Sequence, residues 1–225
     1  MDSFNDSVWE RSGSDVLSKN LFAFLVSFWT AIGLVASAIS AYYTQNWKIG
    51  WEFLVIVLIV SILGVIISLK SNNPFISFIG YLMVAVPFGM MLGPVVAMYT
   101  TASVVRVLFI TTTIVVVLGV VGAIIPDNLE GWGSYLFGGL ILLLIGSFIV
   151  PIAGLFGIPI DHALTWMDWI GVLLFSGYVV FDWNRAMRVP FTMDNSIDCA
   201  LAIYLDFVNI FIRLLRLTGT SNSDD

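Results

Sequence analysis

Phe53-Leu54-Val55-Ile56-Val57-Leu58-Ile59-Val60-Ser61-Ile62-Leu63-Gly64-Val65-Ile66-Ile67-Ser68-Leu69 carries no charge between Glu52 and Lys70. A membrane-spanning α-helix needs about twenty mostly apolar residues, and the run from Glu52 to Leu69 qualifies. Six further stretches read the same way: Leu21–Tyr43, Phe75–Tyr99, Val104–Ile125, Tyr135–Phe156, Ala163–Met187 and Ile197–Leu217. Turn chemistry separates them, at Gln45-Asn46, Ser71-Asn72-Asn73-Pro74, Pro126-Asp127-Asn128, Gly157-Ile158-Pro159 and Arg188-Val189-Pro190. Of the 225 residues, 59% are hydrophobic and 11% charged, with a mean hydropathy of +1.00. Soluble domains are about half apolar and a quarter charged, so this chain requires lipid as its solvent. The expected fold is all-α and integral to the membrane, with seven transmembrane helices. A polar tail over 1–20 precedes one membrane domain over 21–217, and a short tail follows over 218–225; no composition shift marks a second domain.

Net charge is −6, with Asp2, Asp6, Glu10, Asp15, Asp224 and Asp225 in the tails. No run of Lys or Arg is long enough to hold nucleic acid or an anionic lipid patch. Cys199 is the single cysteine, which excludes an internal disulfide framework. The acidic, polar first twenty residues are wrong for a cleaved signal peptide, so the first apolar stretch is expected to be retained despite Ala36-Ser37-Ala38 near its end. Arg11, Lys19, Lys70, Arg185 and Arg188 fall on one side of a seven-crossing topology, against Lys48, Arg106, Arg213 and Arg216 on the other. That bias favours a cytosolic N-terminus, which would leave the Asn5-Asp6-Ser7 glycosylation sequon idle. Trp47, Trp51, Trp132 and Trp166 lie near predicted helix ends, as an interfacial aromatic belt requires.

In the third stretch Gly89 and Gly93 are four residues apart, hence on one helix face, with Pro87 before and Pro94 after. Small residues at that spacing let helices approach closely, and an internal proline frees backbone groups and bends the helix. The segment serves either as a packing seam with a bend or as a hinge or pore-lining kink. Met83, Met90, Met91 and Met98 on the same stretch read as lipid or core contacts.

Ionisable residues at membrane depth are costly and usually functional. Stretches one, three and five have none, while Glu52, Lys70 and Arg106 lie at edges where side chains can snorkel. Stretches six and seven hold Asp168, Asp182, Asp198 and Asp206 with Arg185 and Arg213. Asp206 is the deepest. Cys199, Ala202, Asp206, Asn209 and Arg213 recur at spacings of three and four, a polar-and-small stripe that must face protein or water. Asp182 lies near the end of stretch six, on the side where stretch seven begins, so both aspartates fall in the same half of the membrane. If stretch six packs on the stripe, they meet; two carboxylates in contact at low dielectric cannot both stay ionised cheaply and share a proton. Losing it would push the helices apart, a route from pH to gating. Other roles stay open: an interfacial cap for Asp182, a structural hydrogen bond for Asp206. Asp168 and Asp198 are nearer the helix starts, where the dipole favours a carboxylate.

Phe181-Asp182-Trp183-Asn184-Arg185, followed by Asp198-Cys199-Ala200-Leu201-Ala202-Ile203-Tyr204-Leu205-Asp206-Phe207-Val208-Asn209-Ile210-Phe211-Ile212-Arg213-Leu214-Leu215-Arg216, resembles the closing signature of the Bax inhibitor family, the transmembrane Bax-inhibitor-motif proteins with their bacterial YccA-like branch. Gly89-Met90-Met91-Leu92-Gly93-Pro94 is similar to that family's Gly-Pro motif in helix three. The resemblance covers essentially the whole chain. It implies six helices surrounding a central C-terminal seventh, and a pH-sensitive calcium leak controlled by an aspartate pair at the positions of Asp182 and Asp206. Read from the residues themselves, Asp198, Asn209, Arg185 and Arg213 are the supporting polar stripe beside that pair. The polar residues that follow the first aspartate in the family are here Trp183 and Asn184.

The leading expectation is therefore a Ca²⁺ leak opened when the pair deprotonates. Asp182 and Asp206 would ligate Ca²⁺ only in transit, with protons as the other ligand and no resident cofactor. The same carboxylates would equally serve a proton-coupled exchanger, and a protein restraining a protease or cell-death partner is the third alternative; protein partners are not readable. Enzymatic chemistry is disfavoured, because His162 is the only histidine and falls in a predicted loop. Retinal is excluded, because Lys19, Lys48 and Lys70 lie in tails or at edges. Short tails suit a bacterial plasma membrane, with the endoplasmic reticulum as the other setting.

Overall fold

The computed structural model describes residues 16–222. Asp2, Asp6, Glu10, Arg11, Asp15, the Asn5 sequon, Asp224 and Asp225 lie outside the described residues. Among the described residues there are seven helices and no strand: α1 Lys19–Thr44, α2 Trp51–Lys70, α3 Pro74–Val96, α4 Thr101–Ile124, α5 Glu130–Leu155, α6 Asp161–Ala186 and α7 Met193–Thr218. The first six are long and apolar enough to cross a membrane. α7 has the length, but Asp194, Asp198, Asp206, Arg213 and Arg216 keep its composition out of that class.

Several helices begin earlier than their hydropathy suggests, because side-chain caps rather than apolar runs set the starts. Ser18 accepts from the Leu21 amide at 3.3 Å, and Thr100 from the Ser103 amide at 3.3 Å. Asn73 accepts from the Phe75 amide at 2.9 Å ahead of Pro74 at the first helical position. The Thr192 hydroxyl accepts from the Asn195 amide at 3.1 Å, which turns Met193-Asp194-Asn195-Ser196 into the first turn of α7 instead of loop. Asp206 consequently lies thirteen residues into a 26-residue helix, about 20 Å along its axis and deeper than expected. His162 likewise belongs to the first turn of α6, not to a loop. After α5, Gly157 at φ 78° supplies the left-handed residue that ends the helix.

The described residues divide into two compact units, 16–99 with Ala186–Tyr204, and Thr100–Arg185 with 205–222. In the first, α1 and α3 pack backbone to backbone. A Cβ on Gly89 would come within 2.5 Å of Ser37 Cα, and one on Gly93 within 2.5 Å of the Ala41 carbonyl, so α3 presents its glycines to α1. The hydroxyls of Ser37, Ser40 and Thr44 donate to the carbonyls of Ala85, Val86 and Met90 at 2.8, 3.0 and 3.0 Å. The last of these carbonyls lies four residues before Pro94, which has no amide hydrogen to offer it. Thr44 thus satisfies the group that the proline frees. Tyr204 of α7 closes this core, with its hydroxyl 2.7 Å from Ser37 Oγ and its ring 5.5 Å from that of Tyr81.

In the second unit, buried Asn184 anchors the end of α6. Its two amide hydrogens are shared among the carbonyls of Gly122, Ile125 and Asp127, which lie 3.2, 3.1 and 3.2 Å from Nδ2, and its Oδ1 accepts from the Leu129 amide at 3.1 Å. One side chain therefore satisfies the open carbonyls at the end of α4 and an amide just before α5. It does so two residues beyond Asp182, fixing the helix that carries that carboxylate.

Two consequences are measurable by thermal unfolding in detergent. Gly89→Ala should overpack the α1–α3 seam and lower stability by about 1–3 kcal/mol, whereas Gly138→Ala, where a Cβ meets nothing within 4 Å, should be near neutral. Asn184→Ala leaves several buried backbone groups unpaired and should cost at least about 2 kcal/mol.

Candidate functional site: a charged seam between helices α6 and α7

Among the described residues of the second unit, the buried charged side chains, Asp168, Asp206 and Arg213, lie where α6 faces the C-terminal half of α7. On α6 the positions are Asp168, Gly171, Phe175, Tyr178 and Asp182; on α7 they are Asp206, Asn209, Arg213 and Arg216. Spacings of three and four put each set on one helix face. Contacts pair late α6 residues with early α7 residues of the set and the reverse, an antiparallel register.

At one end the carboxyl groups of Asp182 and Asp206 lie within hydrogen-bonding reach of each other, where a bond can join them. A carboxylate offers only acceptors, so this bond exists only when at least one of the two carries a proton. Asp206 is 4% exposed, and its Oδ2 is buried with no hydrogen-bond partner. Asp182 is half-buried, with Arg185 one turn on and near enough to act on it electrostatically. Both carboxylates act likewise on the Tyr178 phenol.

Asn209 does not reach the pair. Its amide donates to the Leu205 carbonyl of its own helix at 2.9 Å. Arg213 is also engaged elsewhere. Its Nη1 donates to Asp168 Oδ1 and to the Met167 carbonyl, each at 3.2 Å, and its guanidinium lies 5.7 Å from the centre of the Phe175 ring. Gly171 makes the room: a Cβ there would stand 2.5 Å from Arg213 Cδ. Arg216 grips the same carboxylate with a fork, Nε to Oδ2 at 3.0 Å and Nη2 to Oδ1 at 2.5 Å. Asp168 therefore does not serve as a helix-start carboxylate. It sits two turns into α6, and buried charge there is tolerated because two guanidiniums surround it. Periodicity had placed Arg213 on the stripe, but only the partner helix reveals what it binds. Arg216 escaped notice because it closes the apolar stretch.

Asp198 lies apart from this seam, in the first unit. It is 3% exposed and accepts from the Ser68 hydroxyl of α2 at 2.5 Å, while Asp194 one turn earlier accepts from Ser77 of α3 at 2.6 Å. It too is beyond the reach of a simple helix-start role, lying in the second turn of α7. Gly89, Gly93 and Pro94 are in the α1–α3 seam of that same unit. Among the described residues no three or more His, Cys, Asp or Glu side chains gather as a metal site would need.

A family model described as "Inhibitor of apoptosis-promoting Bax1" matches residues 20–223. The inner membrane protein YbhL of Escherichia coli K12 is 26% identical over 211 residues, 85% of this chain and 88% of that protein. Bax inhibitor 1 of Schizosaccharomyces pombe is 28% identical over 142 residues, 61% of this chain and 50% of that protein. A match reaching from the first turn of α1 past the end of α7, on a bundle with six helices apolar enough to span, makes this chain a multi-pass membrane protein of the Bax inhibitor family.

Proposed function

We propose that this protein is a pH-sensitive Ca²⁺ leak channel of a bacterial plasma membrane, gated by the proton that Asp182 and Asp206 share, with α7 as a seventh, central crossing and a cytosolic N-terminus. The observation that carries the proposal is the approach of the two carboxyl groups, across the α6–α7 seam, to within reach of a shared hydrogen bond. With the proton in place, the bond holds α6 on α7. Removing it leaves two acceptors and two like charges in contact at low dielectric, which drives the helices apart. The same event turns the pair into a ligand for a hard cation. Asp206 Oδ2, already buried without a partner, is the atom that gains most from a passing Ca²⁺. Two carboxylates are too few oxygens to retain the ion, whose six to eight ligands must come largely from water and carbonyls. Transit rather than storage follows, and no catalytic step is assigned to any residue.

The sign is fixed by the proton: flux rises with pH. Ca²⁺ entry into proteoliposomes loaded with a fluorescent indicator should increase as pH is raised, by up to about tenfold per unit for one titrating proton. In Asp206→Asn the amide can donate to Asp182 at every pH, so the bridge persists and flux should stay at the low, acidic level throughout. Asp182→Asn should behave alike. Wild-type pH-dependent flux from Asp206→Asn would overturn the proposal.

A further inference from the structure

We infer that Arg213 is a specificity-determining residue of the leak, a fixed positive charge in the α6–α7 seam that holds back divalent cations more than monovalent ones. The inference rests on the leak proposed above and adds a residue to it. Asp206 stands half-way along α7, so an ion at the aspartate pair still has the C-terminal half of that helix to pass. Ions at membrane depth follow polar groups, and in this half the buried ones on the seam are Asp168 and Arg213. Arg213 lies seven residues beyond Asp206 on the same face, about 10 Å along the axis.

The local charge is positive. Asp168 brings one negative charge and is held by two guanidiniums. Arg216 satisfies it with a bidentate fork and has a side chain 45% exposed, where water screens its charge. Arg213 meets the carboxylate through Nη1 alone, at 3.2 Å, with the uncharged Met167 carbonyl as its other acceptor; it is 9% exposed and keeps Nε buried with no partner. Its charge is therefore the least neutralised in the seam. Phe175 beneath the guanidinium and Gly171 against its stem keep it from swinging aside. A positive group beside an ion path excludes cations in proportion to their charge.

The proportionality gives a numerical test. At a given site Ca²⁺ meets twice the repulsion that K⁺ meets, so removing the charge multiplies Ca²⁺ flux by the square of the factor for K⁺. Proteoliposomes at one alkaline pH are assayed for both ions, with wild type, Arg213→Gln, Arg213→Met, Arg213→Lys and Arg216→Gln. If K⁺ flux rises about threefold in the neutral Arg213 variants, Ca²⁺ flux should rise about ninefold. Arg213→Lys, which keeps the charge, should keep the wild-type Ca²⁺/K⁺ ratio, and Arg216→Gln should change it little. The fork from Arg216 continues to pair Asp168 when Arg213 is neutral, and having both Gln and Met guards against one of them misfolding. An unchanged Ca²⁺/K⁺ ratio in the neutral variants, in vesicles where wild type still conducts with its pH response, overturns the role of Arg213 and leaves the leak standing. Absence of wild-type flux removes both.

Discussion

Two carboxyl groups can hydrogen-bond only by sharing a proton, and where α6 meets α7 the carboxyls of Asp182 and Asp206 lie within reach of such a bond. Everything else along the seam accommodates it. The Asn184 anchor fixes the end of α6 to the carbonyls at the end of α4, so Asp182 is presented from a helix whose position is already determined. The caps at Thr192 and along the first turn of α7 start that helix early enough to carry Asp206 to its middle. A proton-dependent contact is useful only when its two halves are held by supports that do not titrate, and amides and hydroxyls provide those supports here.

Charge is housed differently in the two units. In the first, carboxylates meet hydroxyls: Ser68 donates to Asp198 and Ser77 to Asp194. In the second, Asp168 meets guanidiniums, and the aspartate pair meets itself. Taking one proton for the pair, the formal charges of Asp168, Arg213, Arg216, Asp182 and Asp206 cancel. Loss of that proton takes the pair from one negative charge to two against the single net positive charge at the other end, so the seam as a whole is no longer neutral. A low-dielectric interior tolerates neutral clusters far better than separated charge, so the proton on the pair is coupled to the whole seam rather than to two side chains alone.

Much of this was legible in the sequence. Apolar runs located all seven helices, because a membrane leaves helices with no other partner for their backbone groups than themselves. Helix ends were less legible: Thr101 and Met193 start their helices before the apolar run begins, since the Thr100 and Thr192 caps and not hydropathy set those starts. Periodicity on α7 placed Asp206, Asn209 and Arg213 on one face, and the short connection from α6 put Asp182 in the same half of the membrane. Partner identity was not legible. Asn209 turns to its own helix and Arg213 to Asp168, choices made by the register of two helices and by the room Gly171 leaves. Asn184 looked like a departure from the family pattern, and only the fold shows that it joins three segments.

The hydropathy of α7 is itself a consequence of this design. A helix that carried Asp194, Asp198, Asp206, Arg213 and Arg216 into lipid would leave charges without solvation, at a cost of several kcal/mol each. Along α7 almost every residue up to Leu215 is shielded from the surface instead, and four of those charged side chains are 9% exposed or less. The outer surface is apolar in turn: α5 exposes the large hydrophobic side chains of Phe137, Leu142, Phe148 and Ile152. A helix whose charges are buried and helices whose large apolar side chains face outward are two aspects of one arrangement, the one a chain with lipid as its solvent requires.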